Sequence, residues 1–340
     1  MTQVPWKERA LEQLRGEFHP SKFDLVHVTK PFGKNLNTFS GVEMRAAVMY
    51  GTGSYNKHAP VFAMLEQGII NEVIREGTPV FAASSGQTGF KLAEMCRPLG
   101  LRCWTIMKAD TITAKSSRVA MQRGLAKVLL TSESTQVEAE QLAIALDGFN
   151  TNQYKNPANA LGHRDYTAAQ LFAPQNGYFD IVFVPCGTMG TARGIKWYAD
   201  AHGLATKVIP VVCEDGQEIP AARTVASIKE VVGEDALDEF GPPIKIGRRA
   251  AFVAAAALGE KLRQLDVGPT GSMTYAGALK FLAEHWHEFD QSRILRVGIM
   301  FPDAMTLYQE VAKTALHGVE DFEIRDISVE RIIEVINAGK

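Results

Sequence analysis

Four cysteines in 340 residues (Cys96, Cys103, Cys186 and Cys213) are too few and too scattered for a disulfide framework, and none falls in a C-x-x-C pair. An excess of either charge is also missing. Thirty-six Lys and Arg against 38 Asp and Glu leave a formal charge of −2, so nothing draws the chain globally to nucleic acid or to an anionic membrane. No apolar run approaches the length of a membrane span. The opening "MTQVPWKERALEQL" carries charges at close intervals rather than the apolar core of a secretory signal. Internal repeats and low-complexity tracts are absent. Together these absences predict a reduced, cytoplasmic protein with no nucleic-acid partner, no membrane partner and no metal site.

What is present is ordinary globular composition, 46% hydrophobic and 22% charged, in a chain long enough for two domains or one large α/β unit. Short apolar runs alternate with helical patterns. "PVFAA" (79–83), "LRCWTIM" (101–107), "AKVLL" (126–130), "DIVFVP" (180–185), "KVIPVVC" (207–213) and "ILRVGIMF" (294–301) read as strands. Between them lie helical stretches such as "AKSSRVAMQRG" and "STQVEAEQLAIALDG", the latter with Ser134 as a candidate N-cap. Continuously apolar strands separated by helices predict mostly parallel sheets covered on both faces. The charged, proline-bearing run at 222–247 reads as a surface excursion, and "DISVERIIEVINAGK" as an amphipathic tail helix.

Ligands of open α/β sheets bind beyond the carboxyl ends of strands, so the loops there carry the functional signal. "SSGQTG" (84–89) offers hydroxyls and an amide at a helix start, a site suited to a carboxylate or phosphate. "CGTMGTARG" (186–194) has glycines that admit close backbone approach and hydroxyls at another helix start. It lacks the Gly-Lys-Ser/Thr of a Walker loop, and Met189 spoils a dinucleotide fingerprint. "VGPTGSMTYAGALKFL", from Val267, places Thr270 and Ser272 at a turn before a third helix. Lys57, in "TGSYNKHAP" (52–60), stands at the head of a helical pattern after Gly51, Gly53 and Ser54. Each segment alone is an ordinary strand–turn–helix link or solvated lysine. Tyr55 and His58 read as packing or surface residues, and Cys186 as a small buried one.

Taken in order, these segments resemble the fold-type II, tryptophan-synthase-β-like family of pyridoxal-phosphate (PLP) enzymes, the cysteine synthase group in particular, over about residues 45 to 305. "GSYNKH" is similar to the family's cofactor-lysine segment, "SSGQTG" to its substrate loop and "QYKNPAN" (153–159) to its Gln-Phe-x-Asn-Pro-x-Asn segment. "GTMGT" is similar to its phosphate loop, "PTG" to its turn near the pyridine nitrogen and "FPDAMTLY" to its Pro-Asp-Ser end. The departures are Asn56 before Lys57, His58-Ala59 for Asp-Arg, Gln87 for Asn and Met189 for a phosphate-loop glycine. The Asn-Lys pair instead resembles the aminocyclopropane-carboxylate deaminase and D-cysteine desulfhydrase branch.

The resemblance implies two three-layer α/β/α domains with mostly parallel sheets and PLP in the cleft between them. Residues 45–158 would form a smaller, mobile substrate-loop domain, and 1–44 with 159–340 a larger phosphate-binding one. Lys57 would form the Schiff base and act as base at the substrate α carbon, its ammonium form disfavoured by burial at a helix start. Gly187, Thr188, Met189, Gly190 and Thr191 would hold the phosphate, and Gln87 the ring oxygen. Thr270 would face the pyridine nitrogen, where a neutral hydroxyl predicts a neutral ring. Ser84, Ser85, Gly86, Gln87, Thr88 and Gln153 would bind the substrate carboxylate.

The implied activity is β-replacement or β-elimination on a small amino acid with an O-acetylserine-like donor, through an aminoacrylate, in a homodimer. Three alternatives stay open at this point: a deaminase or desulfhydrase, a catalytically inactive PLP-fold subunit, and a nucleotide-binding protein on a similar sheet.

Overall fold

The computed structural model describes residues 4–18, 24–28, 41–49, 55–84, 86–109, 124–174, 177–261, 266–308 and 329–338. Two compact units emerge, Met1–Ser21 with Ser54–Tyr166, and Lys22–Gly53 with Thr167–Lys340.

The first unit holds a four-stranded parallel sheet. Its strands are β3 (Pro79–Ala83), β4 (Arg102–Lys108), β5 (Lys127–Thr131) and β6 (Phe149–Asn150), in the order β5-β4-β3-β6. The pleat sends alternate side chains to opposite faces. Val80 and Ala82 join the core beneath helices α1 (Trp6–Glu17), α2 (Tyr55–Ile70) and α3 (Gln87–Cys96), whereas Phe81 and Ile106 pack under α4 (Thr135–Ala145). Ser134 stands at the N-cap of α4, but its hydroxyl bonds Gln136 rather than the helix backbone. The predicted helix at 114–124 falls almost wholly outside the described residues.

The unit's edges differ from the expected 45–158. Helix α1 joins it because Ala10, Leu14 and Phe18 bury against Val61, Phe62 and Leu65. Phe18 stacks on Phe62 at 3.9 Å and meets Tyr166 at 4.6 Å and His58 at 5.2 Å, both edge-on. These ring contacts add to the area they bury, and they give His58 the packing role read from its sequence context.

The second unit carries six strands in the order β1-β2-β10-β7-β8-β9. They are β1 (Asp24–His27), β2 (Val42–Val48), β7 (Ile181–Pro185), β8 (Lys207–Cys213), β9 (Ile244–Ile246) and β10 (Leu295–Phe301). Only β1 runs antiparallel, paired with β2. The alternation is strict: Ile181, Phe183, Ile209, Val211, Val297 and Ile299 face one core, and Val182, Val184, Val208, Val212 and Met300 the other. Sequence reading missed β1 and β2. At 222–247 it mistook structure for a surface excursion. Thr224 accepts from Ser227 N–H at 3.2 Å to cap Val225–Val232, Ile228 of that helix is fully buried, and Ile244–Ile246 adds an edge strand. The tail helix, Val329–Ala338, buries Ile332 in the core. No helix among the described residues is long and apolar enough to cross a membrane.

Candidate active site

In the first unit Lys57 is the third residue of Tyr55–Ile70. Gly51, Gly53 and Ser54, which precede it, lie outside the described residues. Burial costs an ammonium its hydration, and it lowers the Lys57 pKa to about 8. A second group shares this environment. His163 is fully buried at the start of a π-helical turn, His163–Ala168, that continues the helix Pro157–Gly162. Burial first, and then the Lys57 charge, hold its imidazole well below the usual range, so it is neutral. Gly162 explains the proximity: a Cβ there would stand 2.5 Å from the Ala59 carbonyl oxygen, so only glycine lets this helix close on the lysine helix. Sequence reading passed over His163, although it follows "NPAN" by one turn.

The rate at which the apoprotein attaches PLP should rise with pH through about 8 and then level, because only the uncharged amine condenses with an aldehyde. Borohydride trapping across pH measures it, and an inflection near the ordinary lysine value, 10.5, would contradict the burial of this amine.

The substrate-loop residues gather around the start of α3. Gly86 is its N-cap without a side-chain bond, and the Ser84 hydroxyl accepts from Gly86 N–H at 3.3 Å and Gly89 N–H at 3.1 Å. Ser84 thus supplies the missing cap from the strand end, and Gln87 opens the helix half-buried. Thr88 is buried and donates to Gln153 Oε1 at 2.9 Å, while Gln153 Nε2 donates to the Ala83 carbonyl at 3.1 Å. Gln153 is therefore a buried strut between β3 and α3, held in turn by Asn159, whose amide donates to its carbonyl. Asn156 caps Ala158 N–H at 3.0 Å, which is why "NPAN" begins a helix here. Ser85 lies outside the described residues.

In the second unit β7 ends at Pro185 and the loop Cys186–Met189 leads into helix Gly190–Ala201. The first N–H groups of that helix have no partners within it and carry its positive dipole end. Met189, its N-cap, has φ 62° and sends its side chain into the apolar core with Val184, Ala192 and Ile195. A left-handed non-glycine residue costs about 1–2 kcal/mol, which burial of the thioether offsets. The substitution for glycine therefore turns away from the loop. Cys186 is buried too, and burial pushes its thiol up to about 12, too high for a nucleophile.

Behind the loop runs Ile219–Ala222. A Cβ on Gly187 would stand 2.7 Å from the Ala221 carbonyl oxygen, and Ala221 itself has φ 67°. The neighbouring Pro220 carbonyl accepts from the Thr270 hydroxyl at 2.9 Å. One dipeptide thus links the phosphate-loop candidate to Thr270. Gly187→Ala should displace it at about 1–3 kcal/mol, weakening PLP binding roughly 10- to 100-fold. Titration of the apoprotein by fluorescence checks this, and unchanged affinity would place the cradle elsewhere.

These residues fit PLP. A buried amine of lowered pKa suits an aldehyde, and a helix start backed by a glycine without room for a Cβ suits a phosphate.

Comparison with known proteins identifies the family. Residues 47–297 match the family described as pyridoxal-phosphate dependent enzyme. Cysteine synthase B of Salmonella typhimurium is 26% identical over 155 residues, 44% of this chain and 50% of that protein, so the match spans half of that relative's length. L-cysteine desulfhydrase Cds1 of Mycobacterium tuberculosis is 27% identical over 252 residues, 68% of each chain. The crystal structure of cysteine synthase from Entamoeba histolytica superposes with a TM-score of 0.73 at 18% identity, covering 96% of this chain and 95% of that one. This last likeness establishes the α/β fold with mostly parallel sheets.

Proposed function

This chain belongs to the pyridoxal-phosphate dependent enzyme family, and from that premise we propose that it catalyses β-replacement or β-elimination on a small amino acid bearing a β leaving group, with an O-acetylserine-like donor. The observation that carries the reading is Lys57, an amine whose pKa of about 8 leaves a large uncharged fraction near neutrality. PLP, when bound, supplies the electron sink for charge developing at the substrate α carbon. Lys57 anchors the cofactor and then takes the α proton on its Nζ. His163, neutral and buried beside it, adds no competing positive charge, so the amine can release and recover that proton near neutral pH.

Gly187, Thr188, Met189, Gly190 and Thr191 hold the phosphate through helix-start N–H groups and hydroxyls, Met189 through its backbone only. Gln87 reaches the ring oxygen, and Thr270 the ring nitrogen. Ser84, Ser85, Gly86, Gln87, Thr88 and Gln153 receive the substrate carboxylate. The Thr88–Gln153–Ala83 chain of bonds supports this assignment, because it holds the loop rigid before any ligand arrives. A cytoplasmic homodimer completes the reading.

The relative that matches 68% of each chain is a desulfhydrase, and this favours a second outcome at the same site, elimination to a 2-oxo acid and ammonia. Family membership sets the nucleotide-binding alternative aside. The deciding experiment reconstitutes the protein with PLP and supplies O-acetylserine or cysteine, with and without sulfide. A new amino acid demonstrates replacement, and a keto acid with ammonia demonstrates elimination. Neither product from any β-substituted amino acid, with PLP fully bound, sinks the proposal and leaves a catalytically silent member of the family.

A further inference from the structure

The spacing of the four cysteines suggests no pair, yet the fold of the first unit brings two of them together. Cys96 is the last residue of α3, and Cys103 is the second of β4. The link between them turns back tightly. Gly100 takes φ 69°, a left-handed conformation that suits glycine, and Leu101 N–H returns to the Cys96 carbonyl at 3.0 Å. From Leu101 the pleat of the strand carries Cys103 to the same face, two residues on. Leu101, Cys103 and Cys96 accordingly share one apolar core with Val80, Leu92 and Ala93. There the two thiols meet, side chain hydrogen-bonded to side chain. Cys186 and Cys213 lie in two other cores, on opposite faces of the second unit's sheet.

A thiol–thiol hydrogen bond aims one sulfur at the other, which is the approach that a disulfide requires. The two sulfurs are not equivalent. The bond to Cys103, and then burial, push the Cys96 thiol well up, so it keeps its proton. Cys103 is 6% exposed and Cys96 not at all. An oxidant arriving from solvent therefore meets Cys103 first and finds Cys96 waiting behind it. Such slight exposure in an apolar core admits only a small, uncharged oxidant.

We propose that Cys96 and Cys103 form a redox site, which hydrogen peroxide closes into a disulfide. Cys103, as its thiolate, attacks one peroxide oxygen. The O–O bond breaks, Cys103 becomes a sulfenic acid, and the other oxygen leaves as water. The Cys96 sulfur then attacks the sulfenic sulfur. The S–S bond forms, and the remaining oxygen leaves as a second water with the Cys96 proton. The two thiols lose two electrons and two protons in all, and one peroxide becomes two waters. A dithiol reverses the step by exchange and takes up the disulfide itself. Because α3 opens with Gln87 and Thr88, the closed bridge ties the helix of the substrate-loop candidates to β4 at its far end. The inference is independent of the function proposed above.

The test treats the folded protein with hydrogen peroxide, removes the excess with catalase, alkylates in denaturant, counts thiols and maps the cysteine peptides by mass. Two of the four thiols should disappear, the peptides bearing Cys96 and Cys103 should be linked, and dithiothreitol should restore both thiols. Cys186 and Cys213 should stay free throughout, which shows that the bridge forms without unfolding. In Cys96→Ala, which leaves Cys103 without a partner, peroxide should carry Cys103 on to a sulfinic acid that dithiothreitol does not reverse. Four free thiols after a peroxide exposure that fully oxidises glutathione overturn the inference. So does a parent in which Cys103 reaches the sulfinic acid while Cys96 stays free, or in which all four thiols are lost together. The parent protein alone decides between these results, so a Cys96→Ala variant that fails to fold leaves the test intact.

Discussion

Lys57→Met should end covalent attachment of PLP and reduce turnover by at least the 10^2- to 10^4-fold that a positioned proton-transfer group contributes, while leaving the fold in place. Methionine keeps most of the methylene packing and removes only the amine. The amine is a liability to the apoprotein. Its folded pKa of about 8 lies below its ordinary 10.5, so between those values the unfolded chain binds more protons than the folded one. Stability therefore rises with pH across that window, and the full penalty of burying the ammonium is present below about 8. At pH 7 the methionine variant should accordingly melt no lower than the parent apoprotein, and its melting should lose the rise between pH 8 and 10.5. Borohydride reduction followed by peptide mass spectrometry locates the cofactor. Retention of PLP on a different lysine, with normal turnover, would move the catalytic base elsewhere.

Gly190→Asp should abolish PLP binding without unfolding the apoprotein. Gly190 is the first residue of Gly190–Ala201, where the dipole welcomes a negative side chain. An aspartate there is good for the empty helix and bad for a phosphate. Two unit charges 4 Å apart in a protein environment interact by about 4 kcal/mol, so a dianion opposite a carboxylate should lose at least roughly 10^3-fold in affinity. Gly190→Asn has nearly the same size and no charge, and it should lose far less. Equal affinities for the two variants would mean that bulk, not charge, governs the position, and that the phosphate lies elsewhere.

Much of this protein was legible in its sequence because much of it is local. β3, β4, β7, β8 and β10 were read correctly since parallel strands buried on both faces must be continuously apolar, and "DIVFVP" or "ILRVGIMF" has few other uses. The position of Lys57 at a helix head and the helix starts after "SSGQ" and "CGTM" are likewise local properties of glycine, hydroxyl and amide residues. β1 and β2 were not legible. β2 mixes Glu43 and Arg45 into its run, and only pairing with β1 and β10 makes it a strand. Met189 departs from the glycine that the family resemblance implies, and only the structure gives its left-handed backbone and its side chain buried in the apolar core.

The sequence by itself determined the alternating α/β architecture, the PLP family and the candidate lysine and loops, since each is written in residues a few positions apart. Only the tertiary structure decided what those residues face. Burial beside His163 is what lowers the Lys57 pKa, and 106 positions separate the two residues in the chain. Gln153 meets Thr88 across 65 residues, and Asp303 meets Thr270 across 33. Protonation and hydrogen-bond direction depend on solvent exclusion and on the partner at the other end of each bond, and both are properties of the packed chain.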